Sequence, residues 1–533
     1  MTQTLISITI FAYLGVVLSI GYFFSKRNRS ANEFYLGGRS LGPFVTAMSA
    51  EASDMSSWLL MGLPGVAYVS GLADPFWTAL GLGIGTYLNW KIVALRLRRF
   101  SHTLNAITIP AFFSQRYADH KHQLSGLSAL IIIVFFIPYT ASAFAACGKL
   151  FSTIFDIDYT TAMLFSALII LVYTVSGGFM AVSFTDMIQS IVMSFALFFV
   201  LSYVVTTVGG MGNIFDTIAS YDGFFSLFQS HETGPVVEEI IGTGNPYTML
   251  SVISTLAWGL GYFGMPHILL RFMAIEDERK LPIARHVAVI WVVISMILAI
   301  FIGIAGRVMT HLAYMDNLED SETIIIQLAG LLAEYNAQYA IIGGLILAGI
   351  LAATMSTADS QLLVASSSVS QNLISEYWGK NLSAEMGLLV ARISIVIISI
   401  IAMFLAADPN SSVFGIVSFA WAGFGASFGP VMLLSLFWRR GNKEGAIAGM
   451  LCGGAMVFLW KYQIAPLGGV FAIYELLPAF LTGLLAMVVV SCMTPPPNHE
   501  VELIFDASMM PVPPPRHEKT PWFSLLTDKK KKD

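Results

Sequence analysis

Apolar stretches long enough to cross a bilayer recur along the whole chain, separated by polar or charged connections. A crossing helix needs about 20 mostly apolar residues, and by that rule we predict 13 transmembrane helices. The ninth stretch is longer than one straight crossing needs, so we expect it to continue beyond the bilayer. The predicted spans are 5–24, 42–69, 73–96, 125–147, 160–180, 184–207, 248–273, 286–311, 338–372, 386–407, 412–438, 443–462 and 469–493.

Composition supports this pattern and sets the protein class. Of the 533 residues, 56% are hydrophobic and 11% are charged, whereas a soluble domain has about 25% charged residues. We therefore predict an all-α polytopic membrane protein. The first apolar stretch has no basic leader and no clear cleavage site, so we interpret it as a retained span and not as a signal peptide. Three cysteines lie far apart in apolar surroundings, which predicts small buried side chains at Cys147, Cys452 and Cys492.

Lysine and arginine are concentrated in alternate connections, and this bias decides orientation because cytoplasmic loops are enriched in both. With the N-terminus outside, all but three of the 28 basic residues fall on the cytoplasmic side. The three exceptions are Lys149, Arg307 and Lys461. We predict a transmembrane domain over residues 1–493 with the C-terminus inside. The cytoplasmic tail, 494–533, is Pro-rich and then basic, and we expect it to be disordered or to lie on the anionic inner leaflet.

The second span contains an unusually polar stretch, Ser49 to Gly65. Two carboxylates, Glu51 and Asp54, lie there at membrane depth, where an unpaired charge costs roughly 3 kcal/mol or more. Small residues and the closing Gly-Leu-Pro-Gly allow a helix to unwind and expose its carbonyls, as at transporter binding sites. The Glu51 carboxylate either faces a water-filled cavity or extends toward the interface.

The seventh span contains a second interruption, Trp258 to Pro266. Three glycines weaken the helix there, and Pro266 removes a backbone donor. Glycine and proline also occur at ordinary helix contacts in membranes, so one interrupted span alone would be ambiguous. The two interruptions begin spans five apart, as an inverted five-plus-five repeat requires. The chain shows no sequence self-similarity, so the repeat is inferred from this spacing.

A third element lies in the ninth span, where Ala353, Ser356 and Thr357 share one helix face. An exposed carbonyl and two hydroxyls suit a monovalent cation such as Na⁺, whereas a Ca²⁺ site would need several carboxylates. The alternative is that both hydroxyls bond back to their own helix.

Aromatic residues flank the interruptions, and aromatic walls with a few polar groups are typical of a small-molecule pocket. Each ring could instead face lipid or pack against a neighbouring helix. The rings are Trp58, Tyr139, Trp258 and Tyr262. Asp186 lies near the end of a span and is either functional or a solvated interfacial acid.

Long runs of the chain are similar to the sodium/solute symporter family. The runs are Tyr35–Gly65, Tyr173–Ala181, Trp258–Met273, Ile350–Gln361 and Ser418–Pro430, and the similarity covers about residues 20–490. The resemblance implies a LeuT-like core of two inverted five-helix repeats, spans 2–6 and 7–11, in the bacterial inner membrane. It implies sodium-coupled import by alternating access and no enzymatic activity. A narrower resemblance, to bacterial proline transporters of this family, implies L-proline as substrate, with another amino acid, a carboxylate or a sugar as the alternative.

The resemblance also assigns roles to individual residues. It implies a sodium site of three carbonyls and two hydroxyls, from Ala52, Met55, Ala353, Ser356 and Thr357. It implies that Asp54 and Asp186 lie on the sodium path. It implies a substrate site formed by Asp54, Ser56, Trp58, Gly62, Tyr139, Trp258, Tyr262 and Pro266. The chain departs from the family pattern at Glu51, where proline transporters have glycine, and at Asp359-Ser360, where they have small or thiol residues.

Two other classes of membrane protein fit the residues less well. A channel needs a continuous polar pore with rings of like residues, and the polar positions here are scattered. A membrane enzyme or sensor needs a nucleophile–base set, a metal cluster or a signalling domain, and the histidines are isolated. We expect no organic cofactor and no nucleic-acid partner. The expected partners are L-proline, sodium and membrane lipid, with the monomer as the functional unit.

Overall fold

The protein is almost entirely helical, as predicted. The structure, a computed structural model, describes residues 2–25, 31–231 and 244–512. Within those residues the only sheet is a two-stranded pairing of β1, Gln229–Ser230, with β2, Asn245–Pro246. Several predicted cytoplasmic charges lie outside the described residues, namely Lys26, Arg27, Arg29, Arg516, Lys519 and Lys529 to Lys532.

The long helices follow the predicted apolar stretches, and several short helices lie in the connections between them or in the tail. In the first half of the chain they are α1 Thr2–Ser25, α2 Ala31–Leu36, α3 Pro43–Asp54, α4 Leu63–Ser70, α5 Ala73–Leu88, α6 Ala94–Thr103, α7 Ile109–Arg116, α8 Gln123–Phe155, α9 Tyr159–Ser176, α10 Phe179–Val208 and α11 Met211–Ile218. In the second half they are α12 Met249–Leu256, α13 Pro266–Ala274, α14 Leu281–His311, α15 Ile324–Ala333, α16 Ala337–Ser367, α17 Ala384–Leu405, α18 Val413–Phe437, α19 Lys443–Leu459, α20 Leu476–Met493 and α21 His499–Ala507.

Length alone identifies fewer crossings than the apolar pattern does. Among the described residues, 9 helices are long and apolar enough to cross a membrane, and four apolar helices are shorter. Two of the shorter ones, Trp58–Ser70 and Met249–Gly264, belong to the interrupted spans. Those crossings are divided into half-helices, which a length criterion misses, so the total of 13 stays a prediction. The ninth span does continue, as one helical segment from Ala337 to Tyr377.

The interrupted helices pack around α16, which is buried along almost its whole length. Helix α16 contacts α3, α8 and α10, and α3 also contacts α13. A short parallel bridge joins the start of α3 to the end of α13: the Leu41 amide donates to the Ala274 carbonyl at 3.2 Å, and the Glu276 amide donates to the Leu41 carbonyl at 3.0 Å. The two half-helices are therefore fastened to each other at one end.

That end of the bundle, which we call the basic end, carries Arg39, Arg99 and Arg439. The three basic residues that the sequence assigns to the other side lie at the opposite end, and each has a partner. Lys149 pairs with Glu322 at 2.7 Å, Lys461 pairs with Glu475 at 3.4 Å, and the Arg307 guanidinium lies 5.2 Å from the Tyr68 ring centre. The orientation of these two ends across the membrane stays a prediction.

Two sequence expectations are wrong in part. The tail contains a helix, α21, whose Phe505 ring is buried against Phe100 at 5.8 Å between centroids, so residues 499–507 are not disordered. The Arg439 guanidinium pairs with Asp506 at 2.8 Å and holds this helix at the basic end. Cys147 is buried as expected, but Cys452 and Cys492 are exposed on α19 and α20.

Candidate ion and substrate site

The first interruption releases two backbone carbonyls from helical bonding. Helix α3 ends at Asp54, and Met55 takes a non-helical conformation with φ −74° and ψ 67°. The Ser56 amide, which a continuing helix would direct at the Ala52 carbonyl, donates to the Asp54 carbonyl at 2.8 Å. The Leu59 amide likewise donates to the Ser56 carbonyl at 3.1 Å and not to that of Met55. The Ala52 and Met55 carbonyls can therefore serve another ligand.

Helix α16 meets this interruption through the predicted face. The Ser356 hydroxyl lies 2.7 Å from the Ala52 carbonyl oxygen and 3.1 Å from the Ala353 carbonyl oxygen. The Thr357 hydroxyl donates to the Ala353 carbonyl at 3.2 Å. Both hydroxyls therefore lie within bonding distance of a carbonyl of their own helix, and the Ser356 hydroxyl also contacts α3. These buried, uncharged oxygens form a hard donor set of the kind that suits Na⁺.

Asp54 joins the two interruptions. Its Oδ2 atom accepts a hydrogen bond from the Tyr262 hydroxyl at 2.5 Å, and Tyr262 belongs to the second interruption. Its Oδ1 atom is buried with no hydrogen-bond partner among the described residues. The Trp58 indole N–H donates to the Asp54 backbone carbonyl at 3.1 Å. A buried carboxylate with one free oxygen is a favourable neighbour for a cation.

Close packing explains the glycines of the second interruption. Helix α12 ends at Leu256, and a tighter 3-10 helix continues to Gly264 before Met265 becomes extended. A methyl group on Gly259 would overlap the Gly81 carbonyl of α5, and one on Gly261 would overlap the Trp421 indole of α18. The chain therefore approaches two neighbouring helices more closely than any larger residue allows.

Trp258 is the centre of an aromatic cluster beside both interruptions. Its ring centroid lies 6.5 Å from Trp58, 5.2 Å from Phe414 and 4.9 Å from Tyr474. The Trp421 indole N–H donates to the Trp258 carbonyl at 2.8 Å. The structure therefore brings together Trp58 and Trp258, which the sequence selects, with three rings that it does not.

Among the other predicted substrate residues, Tyr262 and Gly62 contact residues of this cluster. The ring centroids of Tyr262 and Trp421 lie 5.0 Å apart. Tyr139 packs edge-on against His267, with ring centroids 6.3 Å apart. A methyl group on Gly62 would lie 3.0 Å from the Phe414 Cβ atom. The Ser56 hydroxyl accepts from the Trp58 amide at 3.4 Å, and Pro266 is the first residue of α13.

Asp186 lies in a second buried polar cluster, nearer the basic end. Its Oδ2 atom accepts from the Ser49 hydroxyl at 2.7 Å and from the Arg271 guanidinium at 3.1 Å. Arg271 also donates to the Ser360 hydroxyl at 2.5 Å. Asp359 is fully buried beside Ser360, and neither of its oxygens has a hydrogen-bond partner within the described residues. The alternative of a solvated interfacial acid is therefore wrong, because Asp186 is fully buried.

Comparison with known proteins decides the family. The model of the sodium:solute symporter family matches residues 34–453. This chain belongs to the sodium:solute symporter family. The symporter is 42% identical over 487 residues to the high-affinity proline transporter PutP of Bacillus subtilis, covering 91% of this chain and 97% of that protein. It is 38% identical over 525 residues to the sodium/proline symporter of Escherichia coli, and the match covers 96% of this chain and 98% of that protein.

Solved structures establish the predicted LeuT-like fold. The symporter superposes on a substrate-bound, outward-open Na⁺-coupled sialic acid symporter with TM-score 0.75 and 20% identity, over 93% of this chain and 99% of the other. It superposes on Mhp1, a nucleobase-cation-symport-1 family transporter, with TM-score 0.52 and 14% identity. This superposition covers 90% of this chain and 99% of Mhp1. With the family assignment, the protein is a multi-pass transporter of the bacterial inner membrane, not an enzyme, and Na⁺ is its coupling ion.

Glu51 of the first interruption has a partner that the sequence does not reveal. Its Oε1 atom accepts from the Trp90 indole N–H at 2.8 Å, while Oε2 has no partner among the described residues. The side chain is buried, so the alternative in which it reaches the interface is wrong. Trp90 lies in a π-helical turn, Asn89–Val93, which follows α5.

Proposed function

We propose that the symporter imports L-proline together with Na⁺ by alternating access. The relatives named above are called proline transporters or sodium/proline symporters and align with more than nine-tenths of the chain. The observation that carries the proposal is the contact between Ser356 of α16 and the freed Ala52 carbonyl of α3. It supports a sodium site between an interrupted helix and a continuous one.

The proposed sodium ligands are the carbonyls of Ala52, Met55 and Ala353 and the hydroxyls of Ser356 and Thr357. Na⁺ replaces the Ser356–Ala52 hydrogen bond with contacts to both oxygens, so the ion ties α3 to α16. Ion binding at this point favours the outward-open state and orders the neighbouring pocket. Asp54 supplies negative charge beside the site, and Asp186 does so on the proposed path toward the basic end.

The proposed proline site lies between the two interruptions. Proline is a zwitterion, and its carboxylate meets exposed amides at the half-helix N-termini. Its apolar ring packs on the aromatic cluster of Trp258. The proposed substrate residues are Asp54, Ser56, Trp58, Gly62, Tyr139, Trp258, Tyr262 and Pro266.

The basic end is proposed to face the cytoplasm, with the N-terminus outside and the tail inside. Residues 1–493 then form the transmembrane domain, surrounded by lipid and acting as a monomer. A membrane potential of 100 mV contributes about 2.3 kcal/mol for each charge moved inward, or about 50-fold accumulation. One sodium ion per proline is therefore enough for useful uptake, even before its concentration gradient is counted.

Uptake of labelled L-proline into proteoliposomes tests this proposal. We expect saturable uptake that needs an inward sodium gradient, is lost when potassium replaces sodium, and is competed by unlabelled L-proline. Sodium-dependent uptake competed instead by another amino acid, a carboxylate or a sugar would leave the symporter in its family with a different substrate. Proline uptake that does not depend on sodium would contradict the proposal.

A further inference from the structure

Two carboxylates of the first interruption have no basic partner. Glu51 and Asp54 lie three residues apart on α3, so they share one face of the helix, and both are buried. Neither forms an ion pair within the described residues, and the arginine of the neighbouring cluster, Arg271, pairs with Asp186 at 3.1 Å. Two buried negative charges side by side are unfavourable unless cations neutralise them. The proposed sodium ligands are uncharged oxygens, so one Na⁺ at that site balances only one of the two carboxylates.

One oxygen of each carboxylate is held by a hydrogen bond, and the other is free. The Trp90 indole N–H donates to Oε1 of Glu51 at 2.8 Å, and the Tyr262 hydroxyl donates to Oδ2 of Asp54 at 2.5 Å. Oε2 of Glu51 and Oδ1 of Asp54 are buried and have no hydrogen-bond partner among the described residues. The two bonds therefore fix both side chains while each leaves one oxygen for a ligand.

Helix α5 brings two further oxygens to the same place. The Asn89 amide nitrogen donates to the Tyr262 backbone carbonyl at 3.1 Å, which fastens the end of α5 to the second interruption. Thr86 lies one turn earlier on the same face of α5, and its hydroxyl faces that of Tyr262 without completing a hydrogen bond. Both carboxylates act electrostatically on this Tyr262 hydroxyl. Oγ1 of Thr86 and Oδ1 of Asn89 are buried without a hydrogen-bond partner in the described part of the chain.

The chemistry of these four atoms indicates a cation. All are oxygens, two of them from carboxylates, and hard oxygen donors suit Na⁺, Mg²⁺ and Ca²⁺. Ca²⁺ takes about six to eight oxygen ligands, and Mg²⁺ keeps several waters, whereas these oxygens are few and buried away from solvent. A monovalent ion fits this set better, and Na⁺ is the coupling ion of the symporter. With a second Na⁺ bound, each carboxylate has one cation to balance it.

We propose that Glu51, Asp54, Thr86 and Asn89 form a second sodium site, on the α5 side of Asp54, so that the loaded symporter holds two sodium ions. The inference deepens the sodium coupling proposed above and rests on it for the first ion only. Asp54 lies between the two ions: its neighbours in the chain supply carbonyls to the first, and its own Oδ1 atom binds the second. Glu51 supplies the charge that the second ion needs. The second ion ties α3 to α5 beside Tyr262, and so draws the two interruptions together.

Sodium binding to the purified protein tests the second site without transport. The full chain is held in detergent on scintillation beads, without proline, and bound radioactive sodium is counted while unlabelled sodium displaces it at constant ionic strength. We expect two ions per parent protein at saturation. Glu51→Gln, which keeps an acceptor for Trp90 and removes the charge, should bind one. Ser356→Ala with Thr357→Ala should also bind one, because it removes the first ion instead.

Two further variants make the test specific. Thr86→Val keeps the shape of the side chain and both carboxylates, and it should raise the sodium concentration that half-fills the second site about tenfold, since one oxygen ligand is lost. Asp74→Asn is the matched control on α5. Its carboxylate also accepts from a tyrosine hydroxyl, that of Tyr247 at 3.1 Å, but lies about 18 Å along the helix from Thr86. This control should bind two ions with the affinities of the parent.

An equal number of bound ions in the parent and in folded Glu51→Gln would overturn the inference. If Glu51→Gln does not fold, unchanged sodium affinity in Thr86→Val would overturn it. Displacement of the second ion by micromolar calcium would do so as well, because the oxygens would then belong to a divalent cation. Two ions bound by the double variant of Ser356 and Thr357 would contradict the first sodium site alone, so the two proposals fail distinguishably.

Discussion

Asp54 holds the two interruptions together at the level of a single residue, because its carboxylate accepts from Tyr262 while its second oxygen stays free. The hydrogen bond and the charge serve different purposes. An amide at this position keeps an acceptor for Tyr262 but loses the negative charge beside the proposed sodium ligands. Substitution can therefore separate the structural contribution of Asp54 from its electrostatic one.

We predict that Asp54→Asn raises the sodium concentration for half-maximal proline uptake by about tenfold or more, as expected when a buried charge partner is removed. Tyr262→Phe is the matched control, because it removes the hydrogen bond and leaves the charge. Sodium titrations of uptake in proteoliposomes provide the measurement. Unchanged sodium dependence in Asp54→Asn would show that the charge does not assist the ion.

Glu51 and Trp90 form a buried hydrogen-bonded pair that a double-mutant cycle can resolve. We predict that Glu51→Ala lowers the free energy of unfolding by about 1–3 kcal/mol, because the Trp90 indole N–H is left without an acceptor. Trp90→Phe leaves a cavity of its own, but it should cost less in the Glu51→Ala background than in the parent, because it then also removes an unpaired N–H. Glu51→Gln, which keeps the acceptor, should be close to the parent. Thermal unfolding of the purified proteins measures the stability of each variant. Additive effects of the two substitutions would contradict the pairing.

At the scale of elements, the second interruption owes its shape to glycines that allow close helix contact. We predict that Gly259→Ala destabilises the symporter by about 1–3 kcal/mol, the usual range for overpacking, because a methyl group there meets the α5 backbone. Gly83→Ala on α5 is the control, since its methyl group would lie 3.6 Å from the nearest atom, in ordinary contact. Melting curves of both variants in detergent compare them. Equal melting temperatures would show that the interruption tolerates a wider spacing.

The two interruptions and the shared helix face of Ala353, Ser356 and Thr357 could be predicted from sequence, because each depends on a short local run of residues. Carboxylates, glycines and a proline in an apolar stretch signal a broken helix, and hydroxyls at helical spacing signal one face. The partners of these residues could not be predicted. Trp90 pairs with Glu51, Arg271 with Asp186 and Tyr474 with Trp258 across long separations in the chain. Only tertiary packing decides such pairs, and no local pattern distinguishes Trp90 or Tyr474 from a lipid-facing aromatic residue.

At the scale of the whole molecule, charged side chains bind backbone groups at both ends of the bundle. At the basic end, the Arg39 guanidinium donates to the carbonyls of Met273, Ser101 and Ala106 at 2.8, 2.8 and 2.7 Å. At the opposite end, Glu322 accepts from the first amides of α18. Each such bond contributes roughly 1.5–3 kcal/mol, so opening either end has a defined cost. Sodium and substrate binding between the two ends can then decide which one opens.

The most direct test of this account is a paired flux measurement on the double variant Ser356→Ala with Thr357→Ala. Entry of radioactive sodium and labelled L-proline is followed in the same proteoliposomes. We predict that the parent protein carries both in a fixed ratio and that the double variant loses sodium-driven proline entry. Thr354→Val, which removes a hydroxyl bonded to its own helix at 2.7 Å, should keep coupled entry. Coupled sodium and proline entry that survives in the double variant would contradict the sodium site on which the account depends.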